Sequence, residues 1–471
     1  MEANEVEYAF KAVWARFKNS DQYTIDLAQV ETWAKQKNLQ VNKVERKKVG
    51  IFQAIDSVVV QTEEGCLCLP ITTQESGEAW IKRNDHYKNT AEAWQTLEWF
   101  SPFWVSRVDV NKLLSSARAH SAVESIQNFN FHASTIYTLS FEATCIEQIM
   151  GSAPCLSEIQ ALAREAYLAF YAGYKSASIA ALIPAIEGAF TRILPSDMQE
   201  FPVMEKVNKV IEVAISHAAD QHYENMWTPA EYRSTEYLLC MDERVFAFET
   251  FRLWLKNSFF RNTNEYTGAS QLNRHLFAHG LSPEWQQASL SRLIVAISTI
   301  GVIESWFHYD KSVSLFFPKA NKDSELLWEQ AILHGSTQMV IKLMEEKNYH
   351  SHGKLVPPIP TDDGVLLRKA LLNEECVKDL VRPLRDAGWS VQFIDNSSDL
   401  YIKLRATSSH KEFSIALLYS CGTDNSLYKE LEKDCDVILY RGTPYLQEKF
   451  ARGIKIHVGP VTAWQPPKAY N

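Results

Sequence analysis

The chain predicts a multidomain, mainly α protein: a central antiparallel helical bundle, flanked by an N-terminal mixed α/β region and a C-terminal small α/β domain. Three observations carry this. Apolar residues recur at helical spacing from about 155 to 312. Short β-branched runs with turn residues between them punctuate the first 150 positions. Beyond 362, helix and strand patterns alternate. A composition 46% hydrophobic and 22% charged supplies real cores and excludes a disordered chain.

In the N-terminal region, Val6 to Trp14 has helical spacing, and a second helix is expected over 27–37. Ser57 to Thr62 and Cys66 to Leu69 read as strands joined by a Glu63-Glu64-Gly65 turn. Helices are expected again over 91–98 and 108–118. No catalytic constellation is visible here, so residues 1–150 read as a sensor or partner-binding module.

The central region, 151–315, opens with a helix from Ser157-Glu158 to near Gly173. The next, Ser176 to Leu194, lines up Ile179, Leu182, Ile183, Ile186 and Phe190 on one side, with Pro184 and Glu187 inside it. Helices follow near 203–217, 229–241 and 243–258. Gly268 interrupts the pattern. Ser282 and Pro283 have the character of an N-cap and first-turn proline. After them comes a helix apolar nearly all round, carrying Leu290, Leu293, Ile294, Ile297, Ile300 and Ile303, expected at the centre of the bundle.

Residues 316–361 read as a helical linker, helical over 324–346 and irregular from His350 through Pro357-Pro358-Ile359-Pro360. The C-terminal domain, 362–471, predicts a helix ending at Gly388 and strands at 390–394, 400–404 and 413–418. A helix at 426–433, a strand at 437–440, a helix at 444–451 and a strand at 455–458 complete it.

The net charge of −9 argues against a long-footprint nucleic-acid coat, but leaves room for a local RNA site. Lys43, Arg46, Lys47 and Lys48 form the densest basic run, read as a solvated helix face or a phosphate contact. The abundant aromatic residues read as core and interface. Eight scattered cysteines without Cys-x-x-Cys suit a reducing compartment and support neither a zinc ribbon nor a thioredoxin-type site. The acidic Met1-Glu2-Ala3-Asn4-Glu5 lacks an apolar signal core, and the run Leu293 to Ile303 is about half a membrane span. A cytoplasmic protein without membrane partners is expected.

The chemistry is concentrated in Gln271-Leu272-Asn273-Arg274-His275-Leu276-Phe277-Ala278-His279-Gly280. Arginine grips phosphate oxygens, and histidine moves protons near neutral pH. The spacing Arg-x4-His is weak evidence: it occurs at Arg274/His279, Arg405/His410 and Arg452/His457, where about one chance match is expected. Context separates them. Arg405 and Arg452 sit by strands and turns and read as structural. Arg274 to His279 falls on one short helix closed by Gly280, between bundle helices. There His275 and His279 share a face, and the helix C-terminus favours imidazolium at His279.

Asn273-Arg274-His275-x-x-x-His279-Gly280 resembles the active-site motif of the HEPN superfamily, over about residues 155–312. The layout is similar too: a helical bundle, an acidic residue in an early apolar helix (Glu187), and a long apolar helix after the motif. The resemblance implies a metal-independent endoribonuclease, without cofactor, whose site is completed across a homodimer. Arg274 and His279 match its catalytic pair, His275 its polar position, and Glu187 loosely its acidic residue; Asn273 belongs to the same motif. The expected products are a 2′,3′-cyclic phosphate and a 5′-hydroxyl. Members of the superfamily include RNases of toxin–antitoxin, abortive-infection and RNA-guided defence systems. A toxin or antiviral defence effector is therefore implied, with the flanking domains as candidates to sense a trigger, bind a regulatory partner or restrain the nuclease.

Two alternatives stand beside it. A non-catalytic HEPN-like protein would bind nucleotides or partners through the same bundle. A metal-dependent DNA nuclease would use the C-terminal domain, whose element order is compatible with a restriction-endonuclease-like core. That core needs an acidic residue and a Glu-x-Lys or Asp-x-Lys pair. Asp395 and Asp399 precede the second strand, but the third offers only Lys411-Glu412 at its start, so this domain reads as a binding or regulatory module. No third ligand accompanies His275 and His279, and no metal site is expected.

Overall fold

The computed structural model describes residues 3–71, 78–119, 121–270, 272–278, 289–310, 312–351, 362–442 and 446–469. Helices α1 (Ala3–Lys18) and α2 (Leu27–Lys35) precede a three-stranded antiparallel sheet, β1 (Val41–Val49), β2 (Ile55–Thr62) and β3 (Gly65–Pro70), in that order. β2 is the central strand and buries Ile55, Val58, Val59 and Val60, which is why its run is apolar without alternation. The Glu63-Glu64 turn closes on Gly65, whose φ of +146° favours glycine.

The basic run is a strand and not a helix face. Lys43, Arg46, Lys47 and Lys48 lie on β1, at the sheet edge, where charged side chains discourage pairing with foreign strands. They are also committed locally: Arg46 donates to the carbonyls of Gln22 and Ile25, and Lys47 pairs with Glu224 at 2.7 Å. At the other edge, the Cys68 N–H donates to the Trp227 carbonyl and the Trp227 N–H to that of Cys66. The N-terminal sheet is thereby stitched to the helical region, and residues 1–170 and 176–331 form one compact unit with no division at 150.

The helices of this unit are α3 (Glu78–Thr96), α4 (Arg107–Ser115), α5 (Ala122–Ile136), α6 (Leu139–Thr144), α7 (Pro154–Ser157), α8 (Gln160–Tyr171), α9 (Lys175–Ile193), α10 (Val203–His222), α11 (Ala230–Arg233), α12 (Thr235–Leu238), α13 (Glu243–Trp254), α14 (Arg274–Ala278) and α15 (Leu290–Phe307). Three differ from expectation for local reasons. Pro154 starts α7, which ends at Ser157, so α8 opens only at Gln160. The helix expected over 229–241 is two short pieces, because Ser234 leaves the helical conformation and caps α12 through its hydroxyl. α15 begins at Leu290 behind the cap Ser289; Ser282 and Pro283 lie outside the described residues. α9 continues through Pro184.

α15 is the central helix, buried from Leu290 to Ser305 except at Ser291. Burial of each Leu or Ile there contributes about 1.5–3 kcal/mol. Two charges break the apolar pattern, and both are hydrogen-bonded to backbone. The Glu304 carboxylate accepts the Cys155 N–H and so caps α7. Arg292, 1% exposed, donates to the carbonyls of Leu97 and Glu98 and lies between the rings of Trp99 and Phe129. Burial pulls its pKa down to about 10, against the pull of Glu98, so it keeps its charge at neutral pH.

The second compact unit comprises 332–471 with the short segment 171–175, and the division falls inside α16 (Lys322–Ser351). His350 and Ser351, expected irregular, end this helix; Pro357 to Pro360 lie outside the described residues. Next come α17 (Asp362–Glu375), α18 (Arg382–Asp386), β4 (Ser390–Asp395), β5 (Tyr401–Thr407), β6 (Glu412–Leu418), α19 (Asn425–Asp434), β7 (Val437–Tyr440), α20 (Gln447–Phe450) and β8 (His457–Pro460). The sheet order is β4-β5-β6-β7-β8, antiparallel up to β6 and parallel from β6 on. Alternate residues of β6 serve two cores. Ile415 and Leu417 join Leu372, Cys376 and Leu384, while Ala416 and Leu418 join Tyr428 and Leu431 of α19. A sheet covered on both faces explains the unbroken apolar run.

Candidate active site

α9 forms because its apolar residues recur on one face: Ile179, Leu182, Ile183, Ile186 and Phe190 are all buried. Glu187 sits off that stripe, with 34% of its side chain exposed. There its carboxylate meets Arg274 at the start of α14, Oε2 to Nη2 at 2.9 Å, and Arg274 is likewise 34% exposed. Two residues remote in sequence thus form an ion pair at the protein surface.

α14 is described over five residues, too few for a helix to persist by itself. Asn273 holds it. Its side-chain oxygen accepts the N–H groups of His275 (2.9 Å) and Leu276 (3.2 Å), and its Nδ2 donates to the carbonyls of Ser258 and Arg261 just past α13. Asn273 is fully buried, with both ends of its amide engaged by backbone. It therefore holds the short helix in place from beneath. Asn273→Ala loses the cap and the bonds to the Ser258 and Arg261 carbonyls, so a loss of about 1–3 kcal/mol is expected in denaturant unfolding.

The loop leading into α14 is clamped by a residue the sequence did not single out. Glu98, just after α3 and at φ +47°, accepts from the Tyr266 hydroxyl (2.6 Å), the Ala269 and Ser270 N–H groups (2.5 and 3.2 Å) and the Ser270 hydroxyl (2.6 Å). A Cβ at Gly268 would collide with this carboxylate, which accounts for glycine there. Arg292 grips the Glu98 carbonyl at 2.5 Å from the core side. Its only sequence signal is the one guanidinium in a mostly apolar helix.

His275 is half-buried beside Arg274 on α14. His279 and Gly280 lie outside the described residues. The structure therefore brings together Glu187 and Arg274, with His275 adjacent and Asn273 underneath. A guanidinium has five N–H donors, and one carboxylate takes two at most, so Arg274 keeps donors for a second oxyanion.

A second polar cluster is wholly interior. His222 Nδ1 lies 3.0 Å from Asp242 Oδ2, and Arg244 donates to the same carboxylate at 2.5 Å. Burial would raise the Asp242 carboxyl, but hydrogen bonds from Arg244 and His222 outweigh it and hold it below the usual range. This cluster ties the C-terminal end of α10 to the start of α13.

The Arg405 pair and the C-terminal carboxylates are occupied structurally. Arg405 pairs across the strands with Glu412 at 3.3 Å, and His410 is exposed in a turn. In the C-terminal domain, Asp399 is held by Arg368 and Glu375 by Arg441, while Asp395 accepts from Ser397 and Tyr401. Among the described residues, no three His, Cys, Asp or Glu side chains gather as a metal-ligand set. Comparison with protein-family models, with curated proteins and with solved structures finds no match to this chain.

Proposed function

We propose that this protein is a metal-independent, HEPN-like endoribonuclease. The observation that carries the reading is the Glu187–Arg274 pair: the acidic residue of the early apolar helix meets the arginine of the motif on a half-exposed surface. Glu187 orients the guanidinium, and Asn273 fixes the helix that bears it. Arg274 stabilises the added charge on the phosphorane as the ribose 2′-oxygen bonds to phosphorus. A histidine of the motif, His279 or His275, takes the 2′-hydroxyl proton. Another returns one to the 5′-oxygen as the P–O5′ bond breaks. One chain offers a single Arg274 and His279, so two copies paired about a twofold axis supply the complementary set. The proposed role is a defence or toxin effector, with the flanking regions sensing a trigger or restraining the enzyme.

The direct test incubates the full chain with RNA, and with the matching DNA, in excess EDTA. The expected result is RNA fragments with 2′,3′-cyclic phosphate and 5′-hydroxyl ends and intact DNA, since DNA lacks the 2′-hydroxyl. Activity lost to EDTA, or cutting of DNA, would overturn the reading. Growth arrest by wild type but not His279→Ala tests the cellular role.

A further inference from the structure

A cleft of about 370 Å³ opens away from the motif, between α3, the 101–105 segment, the start of α4 and the start of α13. No residue of the motif lines it. Its size falls within the usual range for small-molecule sites. Its walls combine two chemistries. Phe52, Tyr87, Phe103 and Trp104 contribute ring surface, and His86, Arg107, Asn111 and Arg244 contribute polar groups.

Two of these groups are built in place. Trp104 holds a left-handed backbone, φ +62°, a strained conformation for so large a residue. Its indole Nε1 donates to the Ser314 carbonyl at 3.0 Å, which pins the ring as a platform. Arg244 is 4% exposed; its guanidinium lies 4.6 Å from the Trp306 ring and 5.3 Å from that of Phe52, and it is bonded to Asp242. Arg107 is the opposite case. Its side chain is 86% exposed and reaches Glu243 only at 3.9 Å, the limit of an ion pair, so it is available to an incoming anion. Asn111 and Glu243 add hydrogen-bonding groups of both kinds. The hollow continues along α3 and α4, past His86 and Thr90, to Arg118.

We infer that this cleft binds a small ligand carrying both a planar aromatic ring and an anionic group, of which a nucleoside monophosphate is the common cellular example. The ring lies against the Trp104 and Phe52 surfaces, and the anion meets Arg107. The inference is independent of the ribonuclease reading, since neither Arg274 nor His279 takes part.

The test titrates the full chain with AMP, GMP, CMP and UMP, followed by calorimetry and tryptophan fluorescence. Adenosine and ribose 5-phosphate serve as probes of ring and anion alone. At least one nucleoside monophosphate should bind at least about tenfold more tightly than either fragment, and Arg107→Ala and Trp104→Ala should each weaken it about tenfold. Arg107 is a surface side chain, so its variant should melt like wild type and keeps the test valid if Trp104→Ala misfolds. Absence of binding by all four nucleotides, affinity for ribose 5-phosphate equal to theirs, or affinity unchanged in Arg107→Ala would overturn the proposal.

Discussion

Arg274→Ala should lower the rate of RNA cleavage by about 10²–10³-fold, the loss that follows removal of one donor to a developing oxyanion. The effect should fall on kcat, because the added phosphorane charge exists only in the transition state. Arg274→Lys should recover little, since it keeps the charge but not the fork that serves Glu187 and phosphate together. His279→Ala should cost about 10²–10⁴-fold through loss of proton transfer. In the proposed mechanism Glu187 acts through Arg274, as a positioning residue. Glu187→Gln should lower kcat by about 10-fold with KM and thermal midpoint unchanged, and Glu187→Asp should recover part of it. Single-turnover cleavage of a labelled RNA in EDTA reads all five variants. A wild-type rate in Arg274→Ala would remove this residue from the chemistry.

Asp242→Ala should destabilise the protein by about 3–5 kcal/mol, the cost of stripping one partner from a buried ion pair. The reason is the number of groups that one carboxylate serves. Asp242 is 1% exposed, caps α13 by accepting the Arg244 N–H at 2.9 Å, and holds both the Arg244 guanidinium and His222 Nδ1. Its removal leaves a guanidinium 4% exposed without its counter-charge. The same site sets a pH dependence. The folded carboxyl titrates below its ordinary value. Its stabilisation is therefore complete above the unfolded pKa of about 3.9 and is lost as pH falls through the lower, folded value. Urea unfolding at pH 7 and at steps down to pH 3 should show a steep acid limb for wild type and a flatter one for Asp242→Asn. A loss below about 1 kcal/mol in Asp242→Ala would show that the cluster is dispensable.

Much of the secondary structure was legible because it is written in neighbours two to four residues apart. The Glu63-Glu64-Gly65 hairpin, the apolar helix over 290–307 and the C-terminal alternation all follow that rule. β1 was missed because its exposed edge carries lysine and arginine where a half-buried strand would show alternating apolar residues. The C-terminal boundaries moved by about two residues, as with β8 at His457–Pro460, because termini are set by pairing and not by composition.

For the site, the residue types of the motif and the separate acidic residue on α9 were visible as candidates. What they do locally was not. Asn273 reads as one more polar residue of a catalytic motif until its burial and its bonds to Ser258 and Arg261 are seen. Glu98 gives no local sign at all, since every group it clamps lies about 170 positions away.

The amino-acid sequence by itself determined most of the helical and extended segments, β1 excepted, and that arginine and histidine stand together before the most apolar helix of the chain. Only the tertiary structure decided which charges meet: Glu187 with Arg274 at the surface, Asp242 with Arg244 and His222 inside, Arg292 with the end of α3. The physical reason is that periodicity is a local property of the chain. The partner of a charge is instead set by which groups packing brings together and by the cost of burying any of them unpaired.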